Sequence, residues 1–336
     1  MAIGIKRLRQ LQLAAEVTPG TAVTTATALW RGLGTLKDDR VFEQVDEDIG
    51  YLSGVDHIFS SKLYGTLSME PVVATFEQLP YILEAGVKTI TPVQDGTGTD
   101  YIYDYPLSTT AANAVQSYTI KGGDNNEVEI MEYCLVESFT LDGKMDSAVM
   151  MSAKWFGRQV AVHGAGFTSL SVPAVNPIIA AKGILAIDDD DASFGDTPVS
   201  GTLLDWKLDW KTGVVPVFVA DNGELYFETH KMIESEVKLE VTFEHETSAA
   251  AEKVNWRAGT KRLLQILIEG PEAATPGTAY TYLTLIINLP GYWETFSEIS
   301  DQDGNNIVKG TFISKYNATA AQAAQIIVVN ELSALP

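Results

Sequence analysis

Four histidines (His57, His163, His230 and His245), one cysteine (Cys134) and 44 carboxylates are the side chains of this 336-residue chain that could do acid–base, nucleophilic or metal chemistry. Zinc hydrolysis needs two histidines four apart on a helix face with a glutamate between them. No histidine pair has that spacing, and His245 has a glutamate on each side, Glu244 and Glu246. A serine nucleophile needs a Gly-x-Ser-x-Gly elbow, and none is present. The run Asp188 to Asp191 offers the oxygens a hard cation takes, but consecutive side chains diverge and the alternating Asp spacing of a calcium loop is missing. It reads as a solvated loop. "DQDGNN" (301–306) begins like a calcium loop, yet Asn306 stands where the glycine belongs and no glutamate follows at the twelfth position, so a hairpin turn is expected. "KGGDNN" (121–126) lacks the strand–glycine–helix context of a phosphate loop and reads as a turn. Cys134 lies in an apolar-alternating stretch and reads as a buried, inert thiol. The six tryptophans are scattered, which suits core or interface positions better than a stacking platform. No catalytic, cofactor or metal site is expected.

The bulk numbers narrow the class further. At 20% charged and 46% hydrophobic residues the chain is globular, and its length predicts two domains of ~150 residues. One cysteine excludes an internal disulfide framework and fits folding in a reducing cytoplasm. No apolar run approaches the ~20 residues of a membrane helix. "MAIGIKRLRQLQLAAE" lacks the continuous apolar stretch of a signal peptide. A net charge of −21 argues against a protein that grips nucleic acid, because phosphate binding needs clustered Lys and Arg.

The elements that would carry any site are mostly strands. "SKLYGTLSME" (61–70) places Leu63, Gly65, Leu67 and Met69 on one face, and "SEVKLEVTFE" (235–244) does the same with Val237, Leu239, Val241 and Phe243. Asp142-Gly143 and Asp303-Gly304 read as hairpin turns. Two helices are expected. Residues 75–86 have Thr75 as cap, Gln78 in capping-box spacing, Pro80 in a short or kinked first turn and Gly86 as the stop. Residues 248–259 have Ser248 as cap, Ala250, Val254 and Ala258 as the apolar stripe, and Gly259 as the stop. The order strand, helix, hairpin, strand recurs, with Leu63, Leu67 and Met69 mapping onto Val237, Val241 and Phe243. A Lys-aromatic pair follows each Asp-Gly (Lys154-Trp155, Lys315-Tyr316). The expected organisation is therefore a mainly β chain of two tandem copies, residues 1–160 and 201–336, joined by a Gly/Pro/Ser-rich linker, 161–200.

"AAEVTPGTAVTTATALW" (14–30) has strand-forming residues around a Pro-Gly turn and reads as an extended arm that pairs with the rest of the domain or with a neighbouring copy. "EVTPGTAV" (16–23), "FEQLPYILEAG" (76–86) after an alternating strand, and "YCLVESFTLDG" (133–143) leading to "SAKWFGRQVA" (152–161) together resemble the tail tube (major tail) proteins of long-tailed, non-contractile bacteriophages. The motifs cover about 150 residues and the order of elements the whole chain. Pro19 departs from the Tyr-Gly that the family carries in the opening element. The resemblance implies β-sandwich domains, each flanked by a short helix, whose sheets join edge to edge into rings. Three two-domain chains per pseudo-sixfold ring are preferred over six, and the rings stack into a virion tube assembled in the host cytoplasm. It also implies tape measure, terminator and tip proteins as partners, and a lumen poor in Lys and Arg through which DNA passes unbound during genome ejection. The contacts between chains are expected at Glu16, Pro19, Gly20, Thr21 and Trp30 of the arm. They are expected also at Glu43, Asp46, Glu47, Asp48 and Tyr51 of the acidic segment 37–59, which the resemblance assigns to ring stacking. A baseplate, decoration or secretion-tube protein on the same fold, or an extracellular carbohydrate-binding or adhesion module, remains an alternative.

Overall fold

Local alternation and turn chemistry set the strands, and the strands dominate the chain. The computed structural model describes residues 4–52, 57–220 and 223–336. The first half contains β1 (Gln10–Ala15), β2 (Ala28–Trp30), β3 (Gly34–Asp38), β4 (Val41–Gln44), β5 (Ile58–Lys62) and β6 (Gly65–Val73), followed by helix α1 (Leu79–Gly86). It continues with β7 (Val93–Gln94), β8 (Tyr101–Pro106), β9 (Tyr118–Gly123), β10 (Val128–Lys144), β11 (Met150–Gly157) and β12 (Val160–Val162). The second half begins with β13 (Gly183–Asp189), β14 (Pro198–Val199), β15 (Leu203–Lys211), β16 (Val214–Val217), β17 (Thr229–Met232) and β18 (Glu236–Glu244). Helix α2 (Thr247–Ala258) then leads into β19 (Lys261–Glu272), β20 (Tyr282–Phe296), β21 (Ser300–Gln302), β22 (Asn305–Ser314) and β23 (Gln325–Asn330). Every pairing between these strands is antiparallel.

Apart from β7 and β8, which pair with each other and, through β8, with β23 of the second half, the two halves pair their strands alike. In the first, β1 lies between β2 and β9, β10 pairs with β9, β11 and β12, β6 pairs with β3 and β11, and β4 pairs with β5. In the second, β13 lies between β14 and β19, β20 pairs with β19, β22 and β23, β18 pairs with β15 and β22, and β16 pairs with β17. Even an irregularity recurs. The β10–β11 ladder skips one residue at Glu137, and the β20–β22 ladder skips one at Glu294. Such a bulge bends the strand and re-aims its side chains. Matched at these bulges, Trp155 corresponds to Phe312 and Leu67 to Leu239. The correspondence is thus two residues off the expected one, and Lys154-Trp155 does not match Lys315-Tyr316. A shift of two keeps every side chain on its face, so alternation alone does not detect it.

The halves are not separated by a long linker. Residues 161–200 contain β13 and β14, which belong to the second half's sheets, and Asp188 of the expected solvated run is buried, accepting hydrogen bonds from Gly195 N (2.8 Å) and Thr197 N (2.6 Å). A direct sheet joins the halves instead, with β10 pairing to β15 from Ser138↔Lys211 to Lys144↔Asp205. Asp142-Gly143 therefore lies inside a strand and not in a turn. The turn comes after Lys144, and a Cβ on Gly143 would overlap the ring of its partner Trp206. Asp303-Gly304 is the two-residue hairpin turn expected, with φ of 56° and 87°.

The core lies between facing sheets, with Tyr118 of β9 meeting Trp155 of β11 edge-on at 6.1 Å; in the second half Trp293 of β20 and Phe312, its ladder partner on β22, meet edge-on at 5.2 Å within one sheet. Helix α1 plugs the first half with all eight residues buried. It starts after a turn in which Gln78 N donates to Thr75 Oγ1, and Pro80 sits harmlessly in its first turn. Gly86 does not cap by a left-handed turn. A side chain there would crowd Val136 and Thr212. Helix α2 begins after Glu246, not at Ser248, and Gly259 closes it in the left-handed region at φ 65°. Its expected stripe is turned outward. Ala250, Val254 and Ala258 are exposed while Ala249 and Glu252 are buried. Among the described residues no helix is long and apolar enough to cross a membrane.

Candidate assembly surfaces

The two ends of the arm are folded into the chain's own sheet, while most of residues 17–27 is exposed. Strand β1 is paired on both edges, and Leu11, Leu13 and Trp30 are core residues. Glu16 is buried as well. Its carboxylate accepts hydrogen bonds from Gly20 N, Thr119 Oγ1 and Tyr133 N, each at 2.8 Å, so it organises the turn. Tyr133 sits at φ 53°, at the irregularity where β10 passes from one sheet to the other, which explains why its N–H needs a side-chain acceptor. Pro19 and Thr21 are exposed, and Gly20 turns at φ 80° against the guanidinium of Arg158.

The acidic segment behaves differently. Glu43, Asp46, Glu47, Asp48 and Tyr51 are all exposed on or beside the β4–β5 hairpin, and Glu47 lies 3.4 Å from His57. Among the described residues β4 and β5 pair only with each other. Sequence reasoning named the charges here and missed the apolar side chains between them. Phe42 and Ile58 are 61% and 62% exposed, and Phe59 is exposed beside them. The signal was present as apolar residues in a stretch too charged to be core.

A second surface is the outer face of a continuous sheet in the order β3, β6, β11, β10, β15, β18, β22, β20. Its inner residues, among them Leu67, Trp155, Leu141, Trp206, Leu239 and Phe312, are buried. The outer face mixes both charges. Lys207 lies 2.8 Å from Asp209, Lys211 lies 2.7 Å from Glu236, and Lys238 sits between Glu236 and Glu294 at 3.3 and 3.1 Å. Pairing raises Lys207 and Lys238 above the usual lysine range, chiefly through hydrogen bonds to these carboxylates, and lowers Glu236. Lys207, Lys211 and Lys238 are thus each paired with a carboxylate on this face.

Both ends of that sheet are open. Among the described residues strand β3 is paired on one side only, to β6. At the other end, Ser300 pairs with Ile307 as Asp142 pairs with Met150, so Ile299 takes the place of Leu141. Leu141 is fully buried beneath β15, whereas Ile299 is 52% exposed. The arrangement combines an outer face of mixed charge with backbone edges that have no strand partner among the described residues. Among the described residues no group of three or more His, Cys, Asp or Glu side chains is placed to hold a metal ion. Cys134 is buried, and burial pushes its thiol well above the usual range. No family model matches the chain, and no curated protein matches its sequence.

Proposed function

We propose that this chain is a structural tube protein of a bacteriophage tail, whose rings stack into the conduit for DNA. One observation carries the reading. The eight-stranded sheet repeats its own order, β3, β6, β11, β10 and then β15, β18, β22, β20, with strands in matching positions of the two halves. The β10–β15 ladder joins the last strand of one half to the first strand of the next. The same step taken between chains brings β3 of a neighbour to the open edge of β20 and β21, covering Ile299 as β15 covers Leu141. Unpaired edges invite such addition, and only closure removes them. Two tandem tube domains per chain then make a pseudo-sixfold ring from three chains, six chains being the alternative. The outer face of the sheet becomes the lumen, where Lys207, Lys211 and Lys238 are held by carboxylates, which weakens their grip on phosphates. Tape measure, terminator and tip proteins are the partners the resemblance implies.

Negative-stain microscopy of concentrated protein, with native mass spectrometry of the rings, tests this. Rings or tubes built from three chains are expected. A chain that stays monomeric at all concentrations refutes the reading, and six chains per ring would assign one half to an outer layer.

A further inference from the structure

We propose that the β4–β5 hairpin of one chain seats on the second half of the adjacent chain in the same ring, in the position that β16–β17 occupies on the first half within each chain. This rests on the self-association proposed above and replaces the ring-stacking role that the resemblance assigned to the hairpin. The two hairpins correspond without a gap. Leu36↔Leu67 matches Leu208↔Leu239 on the flanking strands, and Glu43↔Phe59 matches Val215↔Lys231 within the hairpins.

The internal example shows how such a hairpin docks. Val214 and Phe227 pack with Tyr133, Leu135 and Phe156 of the first half in a small core of their own. Arg158 donates from Nε to Phe227 O (2.9 Å) and from Nη2 to Glu228 O (2.6 Å), and Leu63 N donates to Leu225 O (2.9 Å). Each side of this junction has a counterpart that is left uncovered. On the donor side Phe42 stands in the place of Val214, which is 1% exposed. On the acceptor side Tyr292 stands in the place of Leu135, Ile313 in that of Phe156, and Lys315 in that of Arg158. Leu135 is fully buried and Tyr292 is 39% exposed. Ser235, the counterpart of Leu63, lines an open cavity of about 510 Å³ together with Val237, Ser314, Lys315 and Tyr316, where the internal junction has the tip of the β16–β17 hairpin.

A hairpin that exposes Phe42 and a hollow flanked by the exposed Tyr292, each matching a covered surface on the same chain, are complementary parts of one repeating contact. A second copy is therefore the occupant. The contact is head-to-tail, because donor and acceptor lie on different halves, and it recurs around a ring.

A Phe42→Cys/Tyr292→Cys double variant, treated with a short bismaleimide under assembling conditions, tests the proposal; Cys134 is buried and serves as the silent thiol. A ladder of covalent multimers is expected from the double variant and none from either single variant alone. A mixture of the two single variants should give cross-linked dimers. Unchanged circular dichroism of the reduced variants controls for folding. Tubes that form but do not cross-link overturn this placement and leave the tube reading intact. Cross-linked closed rings that never stack support the placement and count against the tube. A chain that neither associates nor cross-links overturns both.

Discussion

Glu84 should make the fold less stable as pH rises, and removing its charge should reverse that. It lies in the wholly buried helix α1, where Tyr118 Oη donates to its Oε2 at 3.3 Å and Tyr81, Tyr103 and Tyr105 are close by. Burial pushes its carboxyl up from the ordinary 4.5 to about 7, with the Tyr118 hydrogen bond opposing that shift. Because the folded value lies above the unfolded one, the neutral acid is the form the fold prefers. Its contribution is fully present below the unfolded value and is lost as pH rises toward and through the folded one. At about 1.4 kcal/mol per pH unit, the loss is about 3 kcal/mol, most of it between pH 5 and pH 7. Glu84→Gln keeps the size and an acceptor for Tyr118 while removing the titration. Urea unfolding of dilute protein at pH 5, 6, 7 and 8, followed by fluorescence and circular dichroism, should find the variant close to the parent at pH 5. By pH 8 it should have gained about 2–3 kcal/mol on the parent. A difference that stays flat from pH 5 to pH 8 would refute the argument, because a purely steric effect of the substitution does not titrate.

Gly143→Ala places a methyl group into the fully buried ring of Trp206, so about 1–3 kcal/mol of stability should be lost in the same unfolding assay; an unchanged midpoint would show that the β10–β15 junction can open. Arg158→Leu removes the donors to Phe227 O and Glu228 O and the guanidinium resting 4.8 Å from the Tyr133 ring, and hydrogen exchange should speed up at residues 214–232 while β18 and β20 stay protected. If exchange there is unaltered, the arginine does not hold the hairpin. The parent should show no detectable affinity for double-stranded DNA at physiological salt, whereas Asp209→Asn/Glu236→Gln/Glu294→Gln should release Lys207, Lys211 and Lys238 and create binding that weakens as salt is added. Micromolar binding by the parent in an anisotropy titration would overturn the lumen assignment.

Features that depend on neighbours in the sequence were legible in it. Period-two alternation placed Gly65, Leu67 and Met69, and likewise Val237 to Phe243, on the buried side, because successive Cβ atoms on a strand point to opposite faces wherever the strand lies. The turn at Asp303-Gly304 and the stop at Gly259 follow from the same locality, since each needs only a residue that tolerates positive φ. The acidic segment was recognised as standing outside the core, because charge without a partner stays in water. Burial that depends on a distant partner was decided only by the tertiary structure. Glu252 is buried on α2 in place of the apolar stripe because Trp293 Nε1 (2.8 Å) and Arg262 Nη2 (3.0 Å) meet its carboxylate, and both come from strands that follow the helix. Glu16 is buried because Thr119 and Tyr133, more than a hundred residues on, supply its donors. Asp142-Gly143 continues as strand because Trp206 of the other half needs the space a side chain would fill. The two-residue error in matching the halves has the same origin. Alternation records which face a residue is on, whereas register depends on which residue lies across the ladder, and that partner is brought there by the fold.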